Sequence, residues 1–169
     1  MISEKLLKAL NEQINKEWWS ASIYKAMAAY CEAEDLPGFA NWFNVQTLEE
    51  LTHGQRIFDF ICEAGERVEL YPMEGPKNDY DSPLDAFTYG LEHEKLVTSL
   101  INNLMTIAKE EKDHAAEIML QWFVTEQVEE EASFGLIKKK LERIGDDGRG
   151  ILMLDDELAS RVFTPPTPA

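Results

Sequence analysis

The stretch Phe43-Asn44-Val45-Gln46-Thr47-Leu48-Glu49-Glu50-Leu51-Thr52-His53-Gly54-Gln55-Arg56-Ile57-Phe58-Asp59-Phe60 decides the fold. Taken at alternating steps of three and four residues it gives Phe43, Gln46, Glu50, His53, Ile57, Phe60 and then Ala64, the spacing of one helical face. That face starts and ends apolar, yet its middle carries an amide, a carboxylate and an imidazole. Glu50 and His53 stand at i and i+3, so on a helix they project the same way and can share one cation. A second Glu-x-x-His, Glu111 with His114, warns that this spacing alone does not select a site.

The same seam recurs in three other stretches. The first reads Leu10, Ile14, Glu17, Ala21, Tyr24, Ala28, Cys31; the third reads Leu84, Phe87, Leu91, Glu94, Thr98, Ile101, Met105; the fourth reads Leu120, Phe123, Gln127, Glu130, Phe134, Ile137, Leu141. Breakers delimit the helices. No Gly or Pro falls between Ser3 and Glu34, Leu36-Pro37-Gly38 predicts a tight turn, and Gly65 is a natural stop for the second helix. Residues 66–81, with Pro72, Gly75 and Pro76, read as a long crossover. Ser82-Pro83 is a helix start, an N-cap hydroxyl followed by proline at the first helical position. The third helix is expected to run to about Glu111 and the fourth from a break near Asp113 to about Ile144. Gly145 to Gly150 reads as a loop, and a short fifth helix as residues 151–161. The fold expected is all-α, a four-helix bundle with one long crossover and a short fifth helix. Residues 1–161 form a single domain in this reading and 162–169 a flexible tail.

Composition narrows the function. The 169 residues suit one domain with a core of its own. Sixteen basic against 32 acidic residues give a net charge of −16, which disfavours nucleic acid and anionic membrane surfaces and favours a cation as partner. The two cysteines, Cys31 and Cys62, form no C-x-x-C pair, so a reducing cytoplasm is the expected setting. No segment reads as a secretory signal or a membrane span.

Each seam is interrupted by acid near its middle. Burying an ionised carboxylate costs roughly several kcal/mol unless something compensates it, and these seams contain no Lys or Arg. Two divalent cations match the four charges of Glu17, Glu50, Glu94 and Glu130, with His53 neutral. Glu17 precedes Glu50 by 33 residues and Glu94 precedes Gln127 by 33, so the two helical hairpins superpose with an offset of 77. The offset pairs Glu17 with Glu94, Glu50 with Gln127, His53 with Glu130 and Glu49 with Glu126. Bundles of this kind build di-metal sites from one Glu on each of two helices and Glu-x-x-His on the other two. Here the fourth contribution is changed to Gln127 with Glu130, and oxygen donors with one imidazole favour iron or manganese over structural zinc.

On Glu17, Tyr24, Glu49 to His53, His93-Glu94 and Thr125 to Glu131, the chain resembles a bacterial non-haem ferritin, a ferritin-like di-iron carboxylate protein, over essentially its whole length. The resemblance implies that Glu17, Glu50 and His53 hold one iron and that Glu50, Glu94 and Glu130 hold a second, Glu50 bridging and Gln127 beside them. It implies a third iron at Glu49, Glu126, Glu129 and Glu130, toward an inner cavity, and a role for Tyr24 as hydrogen-bond or electron donor. It implies a ferroxidase that oxidises Fe(II) with dioxygen or hydrogen peroxide and stores the Fe(III) mineral in a cage of twenty-four subunits. Glu117 matches an acidic channel position, and Leu120 stands where a second channel acid often occurs. His93 is read as pointing off the seam, and Glu111 with His114 as a surface pair. Haem-binding relatives carry a methionine where Thr52 stands and a second histidine where Glu130 stands, so no haem is expected. The alternatives are a discrete rubrerythrin-like peroxidase or oxidase, against which the missing C-x-x-C counts, and a metal-free interaction module, against which the seam carboxylates count.

Overall fold

The computed structural model describes residues 2–165. Its elements are α1 (Glu4–Ala33), α2 (Pro37–Glu63), α3 (Pro83–Glu110), α4 (His114–Ile144) and α5 (Gly148–Leu158), with no strand among the described residues. Local chemistry sets the ends. The Ser3 and Ser82 hydroxyls accept from the backbone N–H of Leu6 and Asp85, and the Asp113 carboxylate accepts from Ala116. Gly65 closes α2 at φ 78°, where the N–H of Glu66 reaches back to the carbonyl of Ile61 at 3.1 Å, a left-handed helix terminus.

Three expectations about boundaries are corrected. The turn between α1 and α2 falls at Glu34-Asp35-Leu36, two residues earlier than Leu36-Pro37-Gly38, because Pro37 and Gly38 already belong to α2; proline's fixed φ is preorganised for a first helical position. The fifth helix begins at Gly148, inside the expected loop, because the Asp147 carboxylate caps it by accepting from the N–H of Arg149. It ends at Leu158, short of residue 161. Of the expected C-terminal tail, Val162 to Pro165 carry no regular structure. Residues 166–169 lie outside the described part.

α1 packs along α2 and α3 along α4, with α1 also meeting α3, so the long connection joins two helical hairpins. That connection is tied down by α1. The Asn11 and Asn15 side chains accept from the N–H of Glu69 (2.9 Å) and Tyr71 (2.8 Å), and the Trp19 indole donates to the carbonyl of Glu74 at 3.0 Å. α5 packs on α2.

The seams assigned to α1 and α4 are buried at every position. α2 follows its seam to Ile57 and then shifts to Ile61, leaving Ala64 exposed. α3 departs more: its buried face runs through Gly90, Val97 and Leu104, while Leu91, Thr98 and Met105 are half-buried. An untwisted helix turns 3.6 residues per turn, so a strict seven-residue repeat drifts off the face. The core splits into two apolar clusters, one built around Tyr24, Phe39, Phe43, Phe87 and Phe134, the other around Leu10, Ile14, Ile57, Ile101 and Phe123. The acids of all four seams lie between the two.

Candidate metal centre

Glu17, Glu50, Glu94 and Glu130 are each at most 4 % exposed, and no lysine or arginine is buried among the described residues. The helices bring Glu17, Glu50 and His53 together, with one donor atom from each within 4.8 Å of the others. His53 Nδ1 stands 3.5 Å from Glu50 Oε2 and 3.9 Å from Glu17 Oε2. Two donors each about 2.1 Å from one ion stand roughly 3 to 4 Å apart, so this spacing fits a shared cation. A second group joins His53, Glu126 and Glu130, with His53 Nε2 at 3.9 Å from Glu126 Oε1. His53 therefore faces one group through each ring nitrogen.

Neutral donors hold one oxygen each of Glu17, Glu50 and Glu130, and both oxygens of Glu94. Gln13 Nε2 donates to Glu17 Oε1 at 2.7 Å. Gln46 Nε2 donates to Glu130 Oε2 at 2.7 Å and to Glu50 Oε1 at 3.3 Å. Glu94 accepts at Oε1 from the Tyr24 hydroxyl and at Oε2 from Gln127 Nε2, the latter at 3.0 Å. The oxygens of Glu17 and Glu50 that these amides leave alone are the two that face His53. Amides orient without adding charge, so they do not compete with a cation electrostatically.

Burial pushes the carboxyls of Glu17, Glu50 and Glu130 well above the ordinary range. Mutual repulsion adds to it: Glu50 acts on Glu17, and Glu94 on both Glu50 and Glu130. Glu94 is raised by burial, opposed by the hydrogen bonds from Tyr24 and Gln127. The Tyr24 phenol is pushed well up by burial and by Glu94. Metal-free, the centre favours protonated acids; a divalent cation removes both the burial penalty and the repulsion.

Not every expected residue joins a group. Glu94 lies across the centre, on Tyr24 and Gln127, and Gln127 contacts Glu94 rather than His53. Glu129 is exposed. Glu49 turns to Arg161, whose Nη2 donates to its Oε2 at 2.5 Å.

His93 lies off the seam and outside both groups, yet it is buried: its Nε2 is 2.7 Å from the Ser20 hydroxyl, its ring packs against Trp19 and Tyr24, and burial lowers it to about 4. His114 is exposed as expected, yet it pairs with Glu117 at 3.1 Å rather than with Glu111, because Asp113 starts a new helix between them. Leu120 is fully buried in the bundle, as its place in the α4 seam predicts.

Sequence reasoning missed Gln13 and Arg161. Gln13 stands four residues before Glu17, a pairing distance on any helix, and could have been found. Arg161 is 115 residues from Gln46, to which it donates at 3.0 Å, and no local pattern announces that.

The family model described as ferritin-like domain matches residues 7–144. A relative named bacterial non-heme ferritin, from Staphylococcus aureus (strain MRSA252), is 44% identical over 163 residues, covering 96% of this chain and 98% of that one. A relative of the same name from Staphylococcus haemolyticus (strain JCSC1435) matches to the same extent. Among solved structures, an open pore ferritin from the hyperthermophilic archaeon Archaeoglobus fulgidus superposes with a TM-score of 0.95 at 51% identity, covering 96% of this chain and all of that one. A closed form of the Archaeoglobus fulgidus ferritin, engineered by site-directed mutagenesis, superposes with a TM-score of 0.95 at 51% identity, covering 97% of this chain.

Proposed function

The chain belongs to the ferritin-like domain family, and from that premise we propose that it is an iron-storage ferritin whose bundle core is a ferroxidase centre for Fe(II). The observation that carries the reading is the buried group of Glu17, Glu50 and His53 in a core with four buried glutamates and no buried lysine or arginine. Fe(II) is the substrate. Glu17, Glu50 and His53 take one ion; Glu50, Glu94 and Glu130 take the second, Glu50 being shared and Gln127 lying beside it. Placing two ions together lets two electrons pass to one oxidant, dioxygen or hydrogen peroxide. Gln13 and Gln46 aim the carboxylate oxygens. Tyr24 holds Glu94 through its hydroxyl and is placed to donate a hydrogen bond or an electron. Glu49, Glu126, Glu129 and Glu130 are assigned to a third iron position on the way to a mineral cavity.

Residues 1–161 form a single domain in this proposal, and the assembly is a cage of twenty-four subunits that keeps Fe(III) as mineral. No helix among the described residues is long and apolar enough to cross a membrane, and a cytoplasmic setting is proposed. No haem is part of the reading. Thr52 stands between the bridging Glu50 and His53, and its hydroxyl is spent on the Glu49 carbonyl at 2.7 Å. A Soret band in the purified protein would overturn that part.

Adding Fe(II) in air well beyond two ions per subunit tests storage: soluble iron that stays with the protein, seen as filled shells by electron microscopy, is the expected outcome. Precipitated iron beside an intact centre would leave a discrete di-iron oxidase. Glu50→Ala and His53→Ala should each abolish rapid Fe(II) oxidation with the helical signal retained; unchanged rates would sink the site.

A further inference from the structure

Arg161 follows α5 and reaches back onto α2. Its Nη2 donates to Glu49 Oε2 at 2.5 Å, and its Nη1 donates to Gln46 Oε1 at 3.0 Å and to the Trp42 carbonyl at 3.3 Å. The guanidinium also lies 4.3 Å from the centroid of the Trp42 ring. The backbone that carries it is clamped as well, because Asn41 Nδ2 donates to the carbonyls of Leu158, Ala159 and Arg161 at 3.0 to 3.3 Å. The charge is thus held in place on several sides instead of swinging in solvent. Of the four acids assigned to the third iron position, Glu49 alone is hydrogen-bonded by an arginine among the described residues. Its carboxylate is not one of the donors that His53, Glu126 and Glu130 bring within 4.8 Å of one another.

Resting on the ferroxidase reading above, we propose that Arg161 is a positioning residue that competes with Fe(II) for Glu49, and so keeps the third iron position weak relative to the pair. A guanidinium has donors only, so Gln46 must present its carbonyl oxygen to Arg161 and its amide nitrogen to Glu50 and Glu130. One cation therefore does two things: it sets the amide that orients the paired positions, and it withholds a ligand from the third. A third ion held loosely passes on to mineral; one held by all four acids would stay.

Anaerobic calorimetric titration of Fe(II) into the assembled protein tests this. Arg161→Gln should tighten the third ion about five-fold, the scale of a partly exposed ion pair, and Arg161→Lys, which keeps the charge, should restore the weaker binding. With Glu49→Gln already present, Arg161→Gln should change nothing at the third position, which a merely structural latch would not predict. Two tight ions together with a third of equal affinity in Arg161→Gln and the unaltered chain overturn the proposal alone. The same tightening with or without Glu49 also overturns it. Fewer than two tight ions in the unaltered chain overturns the ferroxidase reading and takes the proposal with it.

Discussion

Gln13 Nε2 fixes Glu17 Oε1 at 2.7 Å, which leaves the other oxygen aimed at His53. Substituting such a supporting group costs roughly 10- to 100-fold in metal affinity, so Gln13→Ala should weaken the first Fe(II) by that order while the helices persist. Equal affinity, measured by anaerobic titration, would reduce Gln13 to packing. The carboxyls set a pH dependence. Their folded values lie above the ordinary 4.5, so between 4.5 and those values the folded metal-free chain binds more protons than the unfolded one. Their contribution to stability is present at low pH and is lost as pH rises through the raised values. His93, lowered from 6.5 to about 4, runs the other way: its contribution is present above 6.5 and is lost as pH falls toward 4. A divalent ion displaces the carboxyl protons and leaves His93 alone, so the rise in Tm on adding Mn(II) should be larger at about pH 7.5 than at about pH 5.5. A rise independent of pH would remove these carboxylates as ligands. Glu17, Glu50, His53, Glu94, Gln127 and Glu130 were legible as buried seam positions because acidic and polar side chains in an apolar repeat are conspicuous. The pairing of Glu49 with Arg161 was not, since nothing local in either residue's neighbourhood encodes a contact 112 residues away.

At the scale of the element, α2 starts with a defect that α5 repairs. Its N-cap, Leu36, offers no side-chain acceptor, and the Asp155 carboxylate of α5 takes the N–H of Phe39 at 2.9 Å in its place. Asp155→Ala removes that cap and should cost about 1 to 2 kcal/mol in guanidinium unfolding at fixed protein concentration. Gly38 lets the two elements meet: a Cβ there would lie 1.8 Å from the Asp155 carbonyl oxygen. Gly38→Ala should therefore push α5 off α2 and destabilise more than Asp155→Ala does; an equal or smaller loss would mean that α5 is not seated there. Helix existence was legible from breakers and caps, since Ser82-Pro83 and Gly65 act within a turn of themselves. The start of α5 was not, because two glycines, Gly148 and Gly150, sit inside a helix that the Asp147 cap and packing on α2 hold together. The seam assigned to α3 lies one position out at three places, where Gly90, Val97 and Leu104, not Leu91, Thr98 and Met105, enter the core.

For the whole molecule, charge and apolar exposure pull in opposite directions. A single chain leaves Ile118, Val128, Leu152 and Met153 between 61 and 73 % exposed, more apolar surface than a lone bundle gains by showing to water. Association would cover such residues, and a closed shell of twenty-four copies would have a mass of about 460 kDa, twenty-four times the 19.3 kDa chain. Each copy brings a net charge of −16, so assembling them works against like-charge repulsion that reaches ~30 Å at 0.01 M salt and only ~3 Å at 1 M. Assembly of the metal-free chain should therefore depend on ionic strength. Analytical ultracentrifugation should find a growing share of dissociated subunits as salt falls from about 0.5 M to about 0.02 M. Leu152→Glu, which adds a charge to α5 and removes an apolar contact, should shift that balance to higher salt. A particle of the same size at both extremes in both proteins would mean that repulsion is negligible beside the apolar contacts. A species no larger than a dimer at high salt would remove the cage itself.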